Sequence, residues 1–231
     1  MLKRALVLAA IAAAMGAVAA TKEDTFDLKW NLKEGQSYKQ KVSANIDFQG
    51  TPIDVTATAI TTCKSVKDGM ITLLSQTKDL VIDIGGGQTM EQPDTESTAV
   101  QTERGRLVKV TGESFGGGDE ARLGNAFSFF FPDKPVKVGE TYEFTIPADE
   151  KLGLVELKCK YQVVERKDMK GKDVLVFKVD QMETGASPIS ISGTFAVEIK
   201  TGISVFSDFT FKNMPQQGML LDGKWKAELV E

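Results

Sequence analysis

The chain has 231 residues, with 28 basic and 32 acidic side chains, two cysteines and no histidine. Its formal net charge of −4 disfavours nucleic acid and anionic membranes as main partners. The absence of histidine removes the commonest general base, the usual serine–histidine triad and most transition-metal sites, and two cysteines alone cannot hold a structural zinc ion. We therefore predict a protein that is not an enzyme, with no catalytic residues, no cofactor, no metal site and no nucleic-acid partner.

The first twenty residues read MLKRALVLAAIAAAMGAVAA. A basic start, an apolar run and small residues at the end are the layout of a secretory signal peptide, with cleavage after Ala19 or Ala20. The alternative is an N-terminal membrane anchor, but the run is rich in alanine and shorter than the roughly 20 residues that a bilayer core requires. We expect residues 1–20 to be removed, and the mature protein to be periplasmic or secreted with no membrane span.

Alternating apolar and polar residues predict β-strands along most of the mature chain. The alternation is clearest over residues 38–48 and 155–163, where nearly every second residue is apolar. Short glycine turns separate such runs and favour pairing between strands that are neighbours in the sequence. We predict an all-β, mainly antiparallel fold: a curved sheet or open half-barrel of about 10–12 strands, in a single domain over residues 21–231.

A weak internal repeat divides this domain into two similar halves, at about 26–115 and 133–231. Residues 34–38 (EGQSY) recur as 138–142 (VGETY), and each copy precedes a predicted strand. An Ala-Val pair stands five or six residues before a turn glycine in both halves, and the spacing between the copies is about 100 residues in each case. The repeat predicts two related meanders of five or six strands.

Between the halves, residues 119–131 predict one short helix that links them. Asp119 and Glu120 suit the first turn of a helix, and Pro132 ends it. Apolar residues then recur at the i, i+3, i+4 and i+7 positions of one helix face: Leu123, Ala126, Phe127 and Phe130. We expect this helix to cover the concave face of the sheet.

Two interpretations of the helix remain open. In the first, its aromatic face fills the barrel permanently as core. In the second, the helix is a lid over a cavity for an apolar ligand, the glycines at 116–118 are its hinge, and Phe129 and Phe131 lie off the apolar stripe and are exposed. The residues that would contact the ligand are Leu123, Phe127, Phe130 and Phe131.

The size of the inward residues separates the two interpretations. Small side chains leave room for a cavity, and large ones close it. The small candidates are Ala44, Ala57 and Ala59, and the large ones are Phe195, Phe209 and Phe211.

The two cysteines, Cys63 and Cys159, both fall on the apolar side of predicted strands. In an oxidising compartment a disulfide between them would stabilise the fold by up to about 4.7 kcal/mol. The alternative is a pair of buried thiols that never meet, and the spacing does not decide between them.

Residues 131–142 read FPDKPVKVGETY. This segment, midway in a secreted β-rich chain of two similar halves, resembles the central segment of an uncharacterised family of bacterial secreted β-rich proteins. Tyr142 stands where that family often has tryptophan. The overall plan is similar to the lipoprotein carrier and receptor fold, an open half-barrel with a helical lid, and this likeness implies a fold but no binding residue.

These observations predict a non-enzymatic secreted or periplasmic protein of bacterial type that binds an apolar or lipid-like ligand between the concave sheet and the helix. The alternative is a protein-interaction or cell-envelope structural module with a filled core, whose partner would be another envelope protein. A hydrolase ranks third, since no pair of carboxylates stands out by its spacing.

Overall fold

The computed structural model describes residues 24–112, 120–216 and 218–230 of the chain. The predicted signal peptide and the predicted glycine hinge at 116–118 lie outside these residues. Within them there are twelve strands and one α-helix. Their bounds are β1 Ser37–Phe48, β2 Thr51–Lys67, β3 Met70–Asp83, β4 Thr89–Glu91, β5 Thr95–Thr102, β6 Leu107–Gly112, α1 Glu120–Ala126, β7 Thr141–Ile146, β8 Leu157–Met169, β9 Lys172–Glu183, β10 Ser190–Glu198, β11 Ser204–Gln216 and β12 Met219–Leu229.

All twelve strands belong to one antiparallel sheet, in the order β6-β5-β3-β2-β1-β12-β11-β10-β9-β8-β7, with β4 paired to the end of β3. The sheet is not closed, which confirms the prediction of an all-β curved sheet with one short helix. Strands β1–β6 form one side, called the first half below, and β7–β12 form the second half. The first and last strands join the halves through eight residue pairs, from Gln40 opposite Leu229 to Asp47 opposite Asp222.

The turn that precedes the first strand of each half has the same hydrogen bonds. In the first half, the Gly35 N–H donates to the Cys63 carbonyl at 2.8 Å. In the second half, the Gly139 N–H donates to the Val163 carbonyl at 2.7 Å. In both turns the residue after the glycine uses a side-chain oxygen to accept a hydrogen bond from the backbone N–H three residues before itself. The distance is 3.0 Å in the first half and 2.9 Å in the second. The repeated sequence therefore folds into equivalent turns.

Most of the core lies on the concave face. There, the inward side chains of neighbouring strands lie opposite each other and pack together. Ala44 stands between Val55 and Trp225, and Trp225 pairs onward with Phe209. The first half presents small inward residues here, and the second half presents aromatic ones. Two segments cross this face, residues 24–32 and residues 120–131. The first is held by two backbone hydrogen bonds between Phe26 and Val136, one in each direction.

Helix α1 covers only residues 120–126, so the predicted helix over 119–131 is too long. The Ser128 hydroxyl donates to the Gly124 carbonyl in the last turn, at 2.6 Å, and so ends the helix. After it, the N–H groups of Phe130 and Phe131 donate outside the helix, to the sheet and to the turn before β6. The proline that follows also disfavours helical backbone at the residue before it. Residues 127–131 are therefore an irregular segment, and Phe130 does not share a helix face with Leu123.

Candidate functional site

Helix α1 and residues 127–131 together cover the concave face, and we call them the roof. One anchor of the roof is an ion pair between Arg122 and Glu183, at the end of β9. The Arg122 Nη2 lies 2.7 Å from one carboxylate oxygen and its Nε lies 3.0 Å from the other. Glu183 is 4% exposed and also accepts the Ile189 N–H at 2.9 Å. A buried carboxylate satisfied by three donors holds the helix on the second half.

A second anchor lies at the other end of the helix. The Gln181 Nε2 donates to the Ala126 carbonyl at 2.7 Å, and the Tyr161 hydroxyl donates to the Gln181 Oε1. The same hydroxyl accepts the Phe130 N–H at 3.4 Å. Burial raises the pKa of Tyr161 well above its ordinary value of 10, so its phenol stays protonated and remains a donor. This chain of bonds satisfies the carbonyl of the last helix residue and fixes the position of residues 129–131, which we call the phenylalanine segment.

The phenylalanine segment packs against the second half of the concave face and fills most of it. The Phe129 ring lies between Phe177 and Phe195, with centroids at 4.9 Å and 5.5 Å, and it stacks on Tyr161 at 5.1 Å. Phe129 and Phe131 are 8% and 4% exposed. Their predicted exposure is therefore wrong, because the irregular backbone after Ala126 turns both rings into the core.

In the first half, the small inward residues leave space under the roof. A cavity of about 290 Å³, which we call the helix cavity, lies between α1 and strands β1, β2, β3, β11 and β12. Of the described residues that line it, none is charged, and Gln40, Thr77 and Gln216 are the polar ones. The others are Val42, Ala44, Ile46, Val55, Ala57, Ala59, Leu80, Leu123, Gly124, Phe127, Phe211, Met214 and Trp225.

A second cavity of about 210 Å³ adjoins the first, and we call it the Gln101 cavity. Gln101 of β5 is 8% exposed, and its Nε2 has no hydrogen-bond partner among the residues that the structure describes. The buried Ser207 also lines this space. Its remaining walls are mainly aromatic and small residues: Trp30, Gly105, Phe129, Phe131, Phe195, Val197, Gly202, Phe209 and Ala227, with Ser128 and Ser204.

Phe127 stands between the two cavities. Its ring centroid lies 5.6 Å from that of Phe209, 5.7 Å from Phe211 and 5.9 Å from Trp225. Phe127, Gln40 and Trp225 line both cavities. The helix cavity and the Gln101 cavity therefore share a wall, and one aromatic ring from the roof forms the middle of it.

The four residues predicted to contact a ligand are distributed unevenly over this site. Leu123 and Phe127 line the helix cavity, and Phe131 lines the Gln101 cavity. Phe130 lines neither of the two and is 1% exposed in the packed core. Sequence reasoning missed Gln101. The sequence could have indicated it, because Gln101 comes two residues after the inward Ala99 of the same strand. An apolar side chain would be expected at that inward position.

Both cysteines are buried free thiols, so the structure contains no disulfide between them. Cys63 and Cys159 belong to two different clusters of the core. Burial raises the pKa of both thiols, that of Cys159 to about 12, which keeps them protonated and unreactive. Of the two alternatives that the sequence left open, the structure has the pair of separate thiols.

Among the described residues, no group of three or more histidine, cysteine, aspartate or glutamate side chains is arranged to hold a metal ion. No helix in these residues has the length and apolar character needed to cross a membrane.

Comparison with known proteins adds no family to this description. None of the protein-family models matches the chain, and no curated protein matches it. The resemblance to a family of bacterial secreted β-rich proteins, and the likeness to the lipoprotein carrier fold, stay predictions. The fold and the site define the class of molecule: an open antiparallel sheet whose concave face is half filled by aromatic core and half occupied by an apolar cavity under a short helix.

Proposed function

We propose that this protein is a non-enzymatic binding protein that holds an apolar or lipid-like ligand in the helix cavity. The observation that carries the proposal is the contrast between the two halves of one concave face. Apart from the Gln101 cavity, the second half is packed by phenylalanines from the roof, whereas the first half has alanines at 44, 57 and 59 under the same roof and leaves the larger helix cavity. A sheet that needed only a core would place larger side chains there.

The chemistry of the walls points to the class of ligand. Because the described residues that line it are uncharged and mainly apolar, the cavity offers little to a charged or strongly polar molecule, which would lose its hydration without gaining partners. An apolar chain would gain roughly 25 cal/mol for each Å² of its surface removed from water. The volume of about 290 Å³ is near the lower end of the roughly 300–1,000 Å³ typical of small-molecule sites, which limits the ligand to one alkyl chain or a small aromatic molecule.

The roof is held closed by specific bonds. For α1 to open as a lid, it would have to break the buried Arg122–Glu183 ion pair and the bond from Gln181 to the helix carbonyl. We therefore propose that the helix acts mainly as a fixed wall, and that the half-buried Val42, Ala57 and Ala59 lie where the ligand meets solvent.

The setting of this function is proposed from the sequence. A signal peptide at 1–20 would deliver the protein to the periplasm or outside the cell, where a carrier for lipid-like molecules keeps apolar ligands out of water. The predicted likeness to lipoprotein carriers and receptors concerns the fold alone and assigns no activity to this chain.

Titration with a fluorescent apolar probe, N-phenylnaphthylamine, tests the proposal. The variant Ala44→Leu fills the helix cavity, and we expect it to weaken probe binding at least tenfold with thermal stability unchanged or raised. Ser43→Leu is the matched control, because the neighbouring side chain of the strand points to the opposite, exposed face. Equal probe binding by a folded Ala44→Leu variant and its control would contradict the proposal.

A second candidate is a protein-interaction or cell-envelope structural module. The observation that favours it is the pair of terminal strands, β6 and β7, whose outer edges pair with no other strand among the described residues. Such edges can accept a strand from a partner. If the protein binds no apolar probe, this module becomes the better explanation.

A further inference from the structure

We propose that the Gln101 cavity is a subsite for the uncharged carbonyl group of an ester or amide, carried by the same ligand whose hydrocarbon chain lies in the helix cavity. This inference rests on the proposed function and deepens it, since it names the second chemical group of the ligand. It is carried by three observations on the described residues: the two cavities adjoin, one buried amide in the smaller cavity lacks a partner among these residues, and none of them that lines either space is cationic.

The first observation is continuity. Gln40, Phe127 and Trp225 line both cavities, so the two spaces meet at these three residues. The Phe127 side chain can move about its own torsions without movement of the sheet. A linear ligand can therefore extend past this ring, with its chain on one side and its polar end on the other.

The second observation is the side-chain amide of Gln101. A buried amide without a hydrogen bond is costly, and native proteins rarely leave one unless something binds there. The other glutamine shared by these walls is already used, because the Gln40 Nε2 donates to the Ser204 carbonyl at 2.8 Å. The two other unpaired buried atoms, on Asn125 and Tyr142, belong to residues that line neither cavity. Among the described residues, Gln101 alone combines a missing partner with one of these two cavities.

The geometry of an amide suits a carbonyl ligand. The terminal torsion of glutamine is broad and roughly two-fold, so its NH₂ group can be turned toward the cavity. From there it can donate to a carbonyl oxygen, which needs one or two donors and no counterion. The aromatic walls formed by Phe129, Phe131 and Trp30 accommodate the carbon atoms on either side of such a group.

The third observation is the charge of the walls. No lysine or arginine is among the described residues that line the helix cavity or the Gln101 cavity. An ionised carboxylate in the smaller cavity would be removed from water without an opposite charge, which is strongly unfavourable. The subsite therefore favours an acyl ester or amide over a free fatty acid.

The first test uses the unmodified protein and displacement of N-phenylnaphthylamine at pH 7. We expect methyl laurate to bind about five- to tenfold more tightly than dodecane, as one added hydrogen bond allows, and to bind more tightly than laurate. Equal binding of methyl laurate and dodecane would overturn the subsite, and so would a preference for laurate. If the protein does not bind N-phenylnaphthylamine at all, the proposed function fails, and the subsite fails with it.

The second test uses Gln101→Met, which keeps the length of the side chain and removes its amide. We expect methyl laurate to lose about five- to tenfold in affinity, dodecane to be unchanged, and the ligand-free variant to melt at the same temperature as the parent or higher, because an unpaired buried amide is gone. Gln162→Met, on the exposed face of β8, is the control. A lower melting temperature with parallel losses for both ligands would mean that Gln101 is only structural, and would overturn the subsite.

Discussion

Phe127 gives the most informative substitution, because its ring is the wall between the two cavities. Phe127→Ala removes that ring and its contacts with Phe209, Phe211 and Trp225. Phe129→Ala is the comparison, since Phe129 comes from the same roof but packs against four aromatic rings in the filled half of the face. The two variants delete the same atoms from two different environments.

The expected cost differs between these environments. Removing a phenylalanine ring from a packed core lowers the free energy of unfolding by about 3–5 kcal/mol, and we expect this for Phe129→Ala. Phe127 is half-buried and borders a cavity on two sides, so fewer neighbouring atoms lose contacts. We therefore expect Phe127→Ala to cost only about 1.5–2.5 kcal/mol.

Ligand binding should follow the opposite order. Phe127→Ala takes away part of the wall that an apolar chain would contact, so we expect affinity for N-phenylnaphthylamine to fall about tenfold. Phe129→Ala should leave that affinity within about twofold, because Phe129 does not line the helix cavity. Urea unfolding and probe titration of both variants measure the two effects. The reasoning is refuted if Phe127→Ala costs as much stability as Phe129→Ala and leaves probe binding unchanged, since Phe127 would then be ordinary core.

Three further predictions concern the roof and the thiols. Arg122→Met should cost about 2–4 kcal/mol in urea unfolding, because it leaves the buried Glu183 carboxylate without an opposite charge, and Arg122→Met with Glu183→Met should recover most of that loss; equal stability of the single variant and the parent would contradict the anchor. Cys63 and Cys159 should not react with Ellman's reagent until the protein unfolds, since burial raises the pKa of both, and a native mass about two protons below the reduced chain would show a disulfide instead. Gly124→Ala should raise the free energy of unfolding by about 0.5–1 kcal/mol, because the added methyl group meets no heavy atom within 4 Å outside the adjoining residues and the helix backbone, and alanine favours helix; destabilisation would mean that α1 is not helical there.

The strands could be predicted from the sequence because their signal is local. In β8, every second residue from Leu157 to Val163 is buried, as the alternation indicates. The repeated EGQSY and VGETY segments also predict equivalent turns, since a turn is decided by a few adjacent residues. The open sheet of twelve strands follows from many such local signals.

The roof could be predicted only in part, because its shape depends on contacts far away in the sequence. The spacing from Leu123 to Phe130 has a helical period, but the backbone after Ala126 bonds to Tyr161 and to the turn before β6 instead of continuing the helix. Periodicity also misplaced Phe129 and Phe131, whose burial depends on the curved sheet around them. Gln101 shows the same limit: its position on an inward face can be read from the sequence, whereas its missing partner becomes visible only when all its neighbours are placed.

Whether the helix cavity holds a ligand is the central question, and native mass spectrometry answers it most directly. The protein would be incubated with a total bacterial lipid extract, purified without detergent, and weighed under native and denaturing conditions. We expect the native mass to exceed the denatured mass by that of one lipid-like molecule, and Ala44→Leu to lose this excess. A native mass equal to that of the bare chain after such incubation would contradict the binding function and favour the interaction module.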